Sequence, residues 1–316
     1  MTNIVITGGL GYIGSQILQG CRASNGVKIK VFDNLRWDQG PLVYPVIKTR
    51  PGFSFYKEDV LDWSDDLKRA IESADLIIPL AALVGAPLCD QYPEEAVAIN
   101  QLWYEKLLNY LNKQFVVYPN TNSGYGSTGD EICTEETPCN PISLYGQTKQ
   151  EAEKTLLDYY DNAIVFRLAT VFGWSHRPRL DLLVNNLTLT AMEEGHIELF
   201  DGHYRRNYVH VQDVSDAFFF AFMQRRKMRG QVYNLGNDEI NMTKKELVIK
   251  ICAMTGATYA ETTSKTDPDK RDYLVSSKKL NSLGFHAARD LEDGVREIMT
   301  FQNFLPKKYI YSLKNY

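Results

Sequence analysis

The sequence predicts an α/β protein, a doubly wound parallel sheet followed by a smaller C-terminal lobe. Three observations predict it. A strand-like run, Asn3-Ile4-Val5-Ile6-Thr7, passes into a glycine-rich turn, Gly8-Gly9-Leu10-Gly11-Tyr12-Ile13-Gly14, and then into an amphipathic segment from Tyr12 to Arg22. Short apolar runs then alternate with longer helical patterns as far as Arg167, as βαβ units with right-handed crossovers require. After Arg167 that regularity fades, and a second lobe is expected from residue 168 onward.

Taken in order, the second strand pattern runs from Val27 to Phe32 and ends at Asp33. Buried strands are expected at Ser54–Tyr56, Leu76–Leu80, Phe115–Tyr118 and Ile164–Phe166, with helices at Ser64–Ser73, Glu94–Asn112 and Leu144–Tyr160 between them. This defines a dinucleotide-binding unit over 1–167. In the 168–316 lobe, a stretch with glycine, proline and arginine (Gly173 to Arg179) precedes a helix pattern at Asp181–Glu194. A strand-like Asn207–Val211, an apolar helix at Val214–Met223 and a strand at Gln231–Leu235 follow. Segment 207–235 is expected to pack back onto the first unit. Helices at Thr243–Thr255 and Leu291–Phe301 and a basic, aromatic tail from Pro306 to Tyr316, docked or frayed, complete the chain.

The 316 residues carry 44% hydrophobic and 23% charged side chains, ordinary for a globular protein. A net charge of −4 and a pI near 5.8 argue against nucleic acid or an anionic membrane as the main partner. Five scattered cysteines and five histidines show no metal-ligand spacing, so no metal is expected and reduced cytoplasmic thiols are. A strand beginning next to Met1 leaves no room for a signal peptide. The longest apolar stretch, Ile77 to Cys89, is broken by Pro79, Gly85 and Pro87 and is too short to span a bilayer.

The chemistry begins at Gly8, Gly11 and Gly14, spaced G-x-x-G-x-x-G between strand and helix. Such a turn lets backbone N–H groups approach a pyrophosphate at the positive end of the helix. Asp33, after the second strand, can accept hydrogen bonds from an adenosine ribose and would repel a 2′-phosphate, so NAD is favoured over NADP. Tyr145 and Lys149 stand four residues apart on one helix face. Tyr44 and Lys48 share that spacing but fall in a proline-rich stretch read as a surface loop. Thr121 lies where the fifth strand runs out, at the sheet edge where open α/β sheets bind ligands. The trio suits alcohol–ketone redox: a phenolate takes the hydroxyl proton as hydride leaves the carbinol carbon. A neighbouring ammonium would bring the phenol down from its ordinary pKa of about 10.

With these residues the chain resembles the extended short-chain dehydrogenases/reductases, the NAD-dependent nucleotide-sugar epimerase/dehydratase family with a Rossmann-like core, over essentially its whole length. The resemblance implies a catalytic triad of Thr121, Tyr145 and Lys149. It implies cofactor contacts from Gly8, Gly11, Tyr12, Ile13 and Gly14 in the turn, from Asp33 and Asn34, from the adenine-contacting pair Asp59-Val60, and from Leu80-Ala81-Ala82. Asn100 matches a helix residue that holds an active-site water and is expected at the cofactor site. Arg206 and Arg271 match arginines that clamp a nucleotide diphosphate, a task suited to the guanidinium fork. Asn122, Ser123, Thr170, Arg179, Leu183 and Asn185 complete the expected substrate site. A homodimer through segments 94–112 and 144–160 is also implied.

Three departures narrow this. Pro79 stands where a histidine is common, and Thr170 where an asparagine is. Asn122-Ser123 replaces the Asp-Glu pair by which 4,6-dehydratases eliminate water, so oxidation at a ring carbon is expected without dehydration. The strings Ile77–Cys89, Pro119–Gly126, Asp181–Asn185 and Asp267–Tyr273 resemble bacterial enzymes that oxidise C4 of GDP-D-glycero-D-manno-heptose in capsule biosynthesis. The 4-keto product could be released, or reduced from its other face as in a UDP-glucose 4-epimerase; the residues leave both open. A non-catalytic NAD-binding sensor on the same scaffold is the rival, and would predict a decayed triad.

Overall fold

The computed structural model describes residues 2–21, 26–48, 52–263, 271–304 and 313–315. The apolar runs form β1 (Thr2–Thr7), β2 (Val27–Phe32), β3 (Phe53–Tyr56), β4 (Leu76–Pro79) and β5 (Phe115–Thr121). With Ala163–Leu168 and Gln231–Leu235 they build one parallel seven-stranded sheet. Its order is Gln231–Leu235, Ala163–Leu168, β5, β4, β1, β2, β3. The direction of sheet growth reverses between β1 and β4, which opens a crevice at the carboxyl ends of these strands.

Alternate residues of each strand serve opposite faces. Ile4, Ile6, Val31, Ile78, Val117 and Phe166 pack with the helices Tyr12–Gly20 and Val211–Met223. Val5, Phe32, Ile77, Val116, Tyr118 and Val165 pack on the other side, against Asp65–Glu72, the Trp103 region and Leu144–Tyr159. Both faces are therefore covered, as an all-parallel sheet requires. Helix starts follow their caps: the side chain of Ser64 accepts from Leu67 N, that of Ser143 from Gly146 N, and Thr243 forms a capping box with Glu246.

The chain returns to the main sheet after the second lobe has begun. Val211–Met223 shares a core with Tyr12–Gly20, and Gln231–Leu235 pairs with Ala163–Leu168. The strand before them, Arg205–His210, belongs instead to a three-stranded sheet with Thr170–Phe172 and Asn237–Thr243. At the C-terminal end, Leu180 N donates to the Leu313 carbonyl at 3.1 Å and Leu313 is buried; most of the 306–316 tail and Arg22 lie outside the described residues.

Several elements differ from expectation. The helix read as Glu94–Asn112 is divided into Pro93–Val97, a π-turn at Ala98–Leu102, Trp103–Leu107 and a 3-10 turn at Leu108–Tyr110. The wide turn carries Asn100, whose amide is bonded in both directions to the peptide of Leu83. The next lobe's first helix starts at Leu183 rather than Asp181, because the Asp181 carboxylate is engaged by Arg179. Tyr44 and Lys48 lie on and just past a helix, Gly40–Ile47, rather than in a loop; Pro41 in its first turn costs no hydrogen bond, while Pro45 inside it forgoes one. The short pairs His196–Leu199 with Thr258–Glu261, and Ile132–Cys133 with Leu274–Val275, join segments too far apart in sequence for periodicity to reveal. Among the described residues no helix is long and apolar enough to cross a membrane.

Candidate active site

A cavity of about 1290 Å³ runs from the glycine turn, across the ends of the strands, into the C-terminal lobe. Gly8, Gly11, Tyr12, Ile13 and Gly14 form one wall. Gly8 has φ +64°, and a Cβ there would sit 2.6 Å from Ala81 N, so only glycine lets the turn lie against the end of β4. Gly11 precedes the helix at Tyr12, whose hydroxyl donates to the Gly173 carbonyl at 2.7 Å and ties the turn to the second lobe. Leu80, Ala81 and Ala82 form the floor.

Asp33 closes the far end of this wall. Its Oδ2 accepts from Leu10 N at 2.9 Å, and its Oδ1 from Leu35 N at 2.9 Å and Gln39 Nε2 at 3.0 Å. Burial pushes its carboxyl up, and these donors pull it back down. Asn34 Nδ2 donates to Asp59 Oδ2 at 2.8 Å, so the ends of β2 and β3 are pinned together beside Val60. A glycine turn with no room for a Cβ, a helix N-terminus and a terminal carboxylate together fit a dinucleotide.

Tyr145, Lys149 and Thr121 all line the cavity, Thr121 at the end of β5. The helix holding the first two starts at Leu144, capped by Ser143. Lys149 Nζ sits 4.1 Å from the centroid of the Tyr118 ring, and the Tyr118 hydroxyl donates to the Lys149 carbonyl at 3.0 Å. Thr121 Oγ1 accepts from Ser123 N at 3.1 Å and lies 2.8 Å from Ser123 Oγ. Burial pushes the Tyr145 phenol up to about 12, with Cys89 adding to the rise and Arg271 and Arg179 opposing it. Burial also pulls Lys149 down to about 7. The expected phenol lowered by its lysine is therefore not what the cavity alone produces. Both groups are buried, and desolvation drives each toward its neutral form.

Three expected site residues lie behind the wall rather than on it. Asn122 is buried with its amide donating to Asn207 Oδ1 at 3.2 Å. Asn185 braces the loop above the glycine turn: it accepts from Gly173 N at 3.0 Å and donates to the Gly173 and Arg179 carbonyls at 3.2 and 3.0 Å. Asn100 donates to the Leu83 carbonyl at 2.9 Å and accepts from Leu83 N at 3.0 Å, with Thr148 Oγ1 3.5 Å away. Asn100 and Asn185 have their amides taken up by backbone, and Asn122 donates to Asn207 while its Oδ1 is buried without a partner, so all three stand behind the wall.

Arg206 and Arg271 both face the cavity, brought together across 65 positions of sequence. The Arg206 guanidinium donates to the Arg271 carbonyl and to the Arg205 carbonyl, the latter at 2.8 Å, and lies 5.4 Å from the Tyr273 ring. Arg179 reaches the cavity but is held by Asp181, with Nε 2.8 Å from Oδ1. Thr170 and Leu183 line the same region, while residues 267–270 of the Asp267–Tyr273 string lie outside the described residues. Sequence reading missed Trp37, Gln39, Arg177, Glu198, Phe200 and Lys244, all on the wall. Only Arg177 carried a signal, as the second arginine of the Gly173–Arg179 stretch. Among the described residues no group of three His, Cys, Asp or Glu could hold a metal.

The model of the NAD-dependent epimerase/dehydratase family matches residues 4–236, and the chain belongs to that family. It is 24% identical over 309 residues to a dTDP-glucose 4,6-dehydratase of Streptomyces niveus, covering 93% of this chain and 90% of that one. It is 26% identical to a UDP-glucose 4-epimerase of Lactobacillus helveticus, covering 97% and 98%. The structure superposes on dTDP-glucose 4,6-dehydratase from Bacillus anthracis in complex with NAD with a TM-score of 0.83 at 25% identity, covering 99% of this chain and 100% of that one. The protein is thus an NAD-dependent enzyme of the nucleotide-sugar epimerase/dehydratase family.

Proposed function

We propose that this enzyme oxidises C4 of a GDP-linked heptose to a 4-keto species, without loss of water, in the synthesis of a surface polysaccharide. The observation that carries the reading is the hydroxyl pair beside Tyr145. Thr121 and Ser123 hydrogen-bond to each other at 2.8 Å, and Asn122 turns away into Asn207. An elimination needs an acid pair at positions 122 and 123, and here an amide bonded to Asn207 and a hydroxyl bonded to Thr121 stand there. The relatives include dehydratases and epimerases alike, and this local chemistry favours redox without elimination.

NAD, when bound, is the acceptor for the hydride leaving C4. Tyr145 Oη, as the phenolate, takes the C4 hydroxyl proton, Thr121 orients that oxygen, and Lys149 as the ammonium supports the phenolate before the transfer. Arg206 and Arg271 hold the diphosphate. In the C-terminal lobe the carboxylate of Glu198 lines the cavity wall, and a carboxylate matches the N1–H and N2–H donors of guanine. Uracil and thymine present a single N–H between two carbonyls and match it less well. The dimer and the cytoplasmic setting belong to this proposal.

The test is to incubate the purified protein separately with GDP-D-glycero-D-manno-heptose, GDP-mannose and UDP-glucose, and to read products by mass and NMR. The expected product is the GDP-heptose less two hydrogens. Equal mass with inverted C4 would move the assignment to a 4-epimerase. Loss of water, or turnover of UDP-glucose alone, would overturn the proposal.

A further inference from the structure

Arg177 is among the largest fully buried side chains of the protein, at 2% exposure, and lines the cofactor end of the cavity. Its Nη1 donates to the Pro178 carbonyl at 3.1 Å, and its Nη2 has no hydrogen-bond partner. The guanidinium carbon lies 5.8 Å from the Trp37 ring centroid. It also interacts electrostatically with Asp33 and Arg179. All three neighbours face the same cavity, so the unpartnered N–H group lies among cavity-wall side chains. A buried N–H without an acceptor is costly, more so on a charged group.

The backbone around Arg177 is keyed to the first turn of the helix behind the glycine loop. Arg177 N donates to Ser15 Oγ at 3.2 Å, and Ser15 Oγ lies 2.9 Å from Ser175 Oγ. Ser175 Oγ in turn reaches the Tyr12 carbonyl at 2.8 Å. The backbone that carries the guanidinium is therefore held against the first turn of the helix whose N–H groups would receive a dinucleotide diphosphate. Burial lowers its pKa to about 10, with Arg179 adding to the fall, which still leaves it charged at neutral pH. Asp181 neutralises Arg179; the Arg177 fork keeps an open donor.

We propose that Arg177 is a cofactor-binding residue whose guanidinium closes over the diphosphate of NAD, giving its buried Nη2 the anionic acceptor it lacks. The binding energy comes partly from relieving that unsatisfied donor. This assignment concerns the cofactor alone and is independent of which sugar the enzyme oxidises.

Calorimetry on Arg177→Met and Arg177→Gln, freed of bound nucleotide, tests it with NAD, ADP-ribose and GDP-mannose; ligand-observed NMR adds adenosine, which lacks phosphate. Losing one charge-assisted hydrogen bond should weaken NAD and ADP-ribose equally, by about 10- to 100-fold, and leave adenosine and GDP-mannose unchanged. The nucleotide-free Arg177→Met protein should melt no lower than wild type, because it no longer buries an unsatisfied cation. Unchanged NAD affinity in both variants would overturn the proposal. So would a loss confined to GDP-mannose, which would give the guanidinium to the substrate diphosphate. An equal loss for adenosine with a lower melting temperature would mark Arg177 as a structural residue.

Discussion

The two ends of the cavity are built on different principles. The cofactor end is backbone geometry set by contiguous sequence: Gly8 to Gly14 supply a turn with no room for a Cβ and a helix N-terminus, and Asp33 follows one strand later. The sugar end is assembled from side chains that the chain brings from far apart, with Arg206 gripping the backbone of Arg271. Tyr145 stands between them, on a helix that belongs to the first unit but with Arg271 and Arg179 as electrostatic neighbours. The contrast teaches that dinucleotide binding here starts from main-chain shape, to which Asp33 and Arg177 add side-chain contacts, whereas sugar-nucleotide selection rests on placed charges alone. These can be broken separately.

The largest effect should come at the seam. Tyr145→Phe removes the proton acceptor and leaves the ring, so turnover should fall by about 10²- to 10⁴-fold. NAD affinity, measured by calorimetry, should stay within error, because the glycine turn and Asp33 are untouched. A Phe variant that turns over at the wild-type rate would remove Tyr145 from the chemistry. One that loses NAD would show that the cofactor end extends to the Tyr145 hydroxyl.

Arg206→Ala should come next. Arg206 is 5% exposed and its guanidinium is bonded to two backbone carbonyls, so its removal loosens Arg271 and, on the proposed function, loses a diphosphate contact. The expected outcome is a KM for the sugar nucleotide raised by about 10- to 100-fold, with NAD affinity unchanged. A matching loss of NAD affinity would mean that the two ends are one coupled site.

That division also explains what could be read from sequence. β1, β2, the glycine turn and Asp33 are local patterns, and each was legible because its physical constraint is local. Leu144–Tyr159 was legible for the same reason, with Ser143 as its cap. The sugar end was legible only through resemblance, since nothing near Arg206 points to Arg271. Asn122, Asn185 and Asn100 were misplaced because an amide that braces backbone and an amide that faces a ligand look the same in sequence. The π-turn at Asn100 arises from contact with Leu83, a partner seventeen positions upstream. Trp37 and Lys244 owe their places on the wall to the tertiary fold, and no period or motif marks them.

The smallest effect concerns how charge is held at the seam. Burial lowers Lys149 from an ordinary 10.5 to about 7 in the folded protein. Below pH 7 the lysine is protonated in folded and unfolded chains alike, and the full cost of burying an ammonium weighs on the fold. As pH rises from 7 toward 10.5 the unfolded chain binds more protons than the folded one, so this group makes stability increase with pH. The slope is at most about 1.4 kcal/mol per pH unit. Urea unfolding of nucleotide-free wild type and Lys149→Met at pH 7 and pH 8.5 isolates it, because the cysteines and tyrosines that titrate higher are common to both proteins. Wild type should gain about 1–2 kcal/mol on the variant over that interval. A flat difference would mean that Lys149 keeps its proton in the empty cavity, and that the ammonium is in place to draw down the phenol of Tyr145 before any ligand arrives. A rising difference would mean that the charge at the seam is assembled only once the cavity is filled. In the second case the ionisation of Lys149 is set by burial, which outweighs the opposing pull of Glu153.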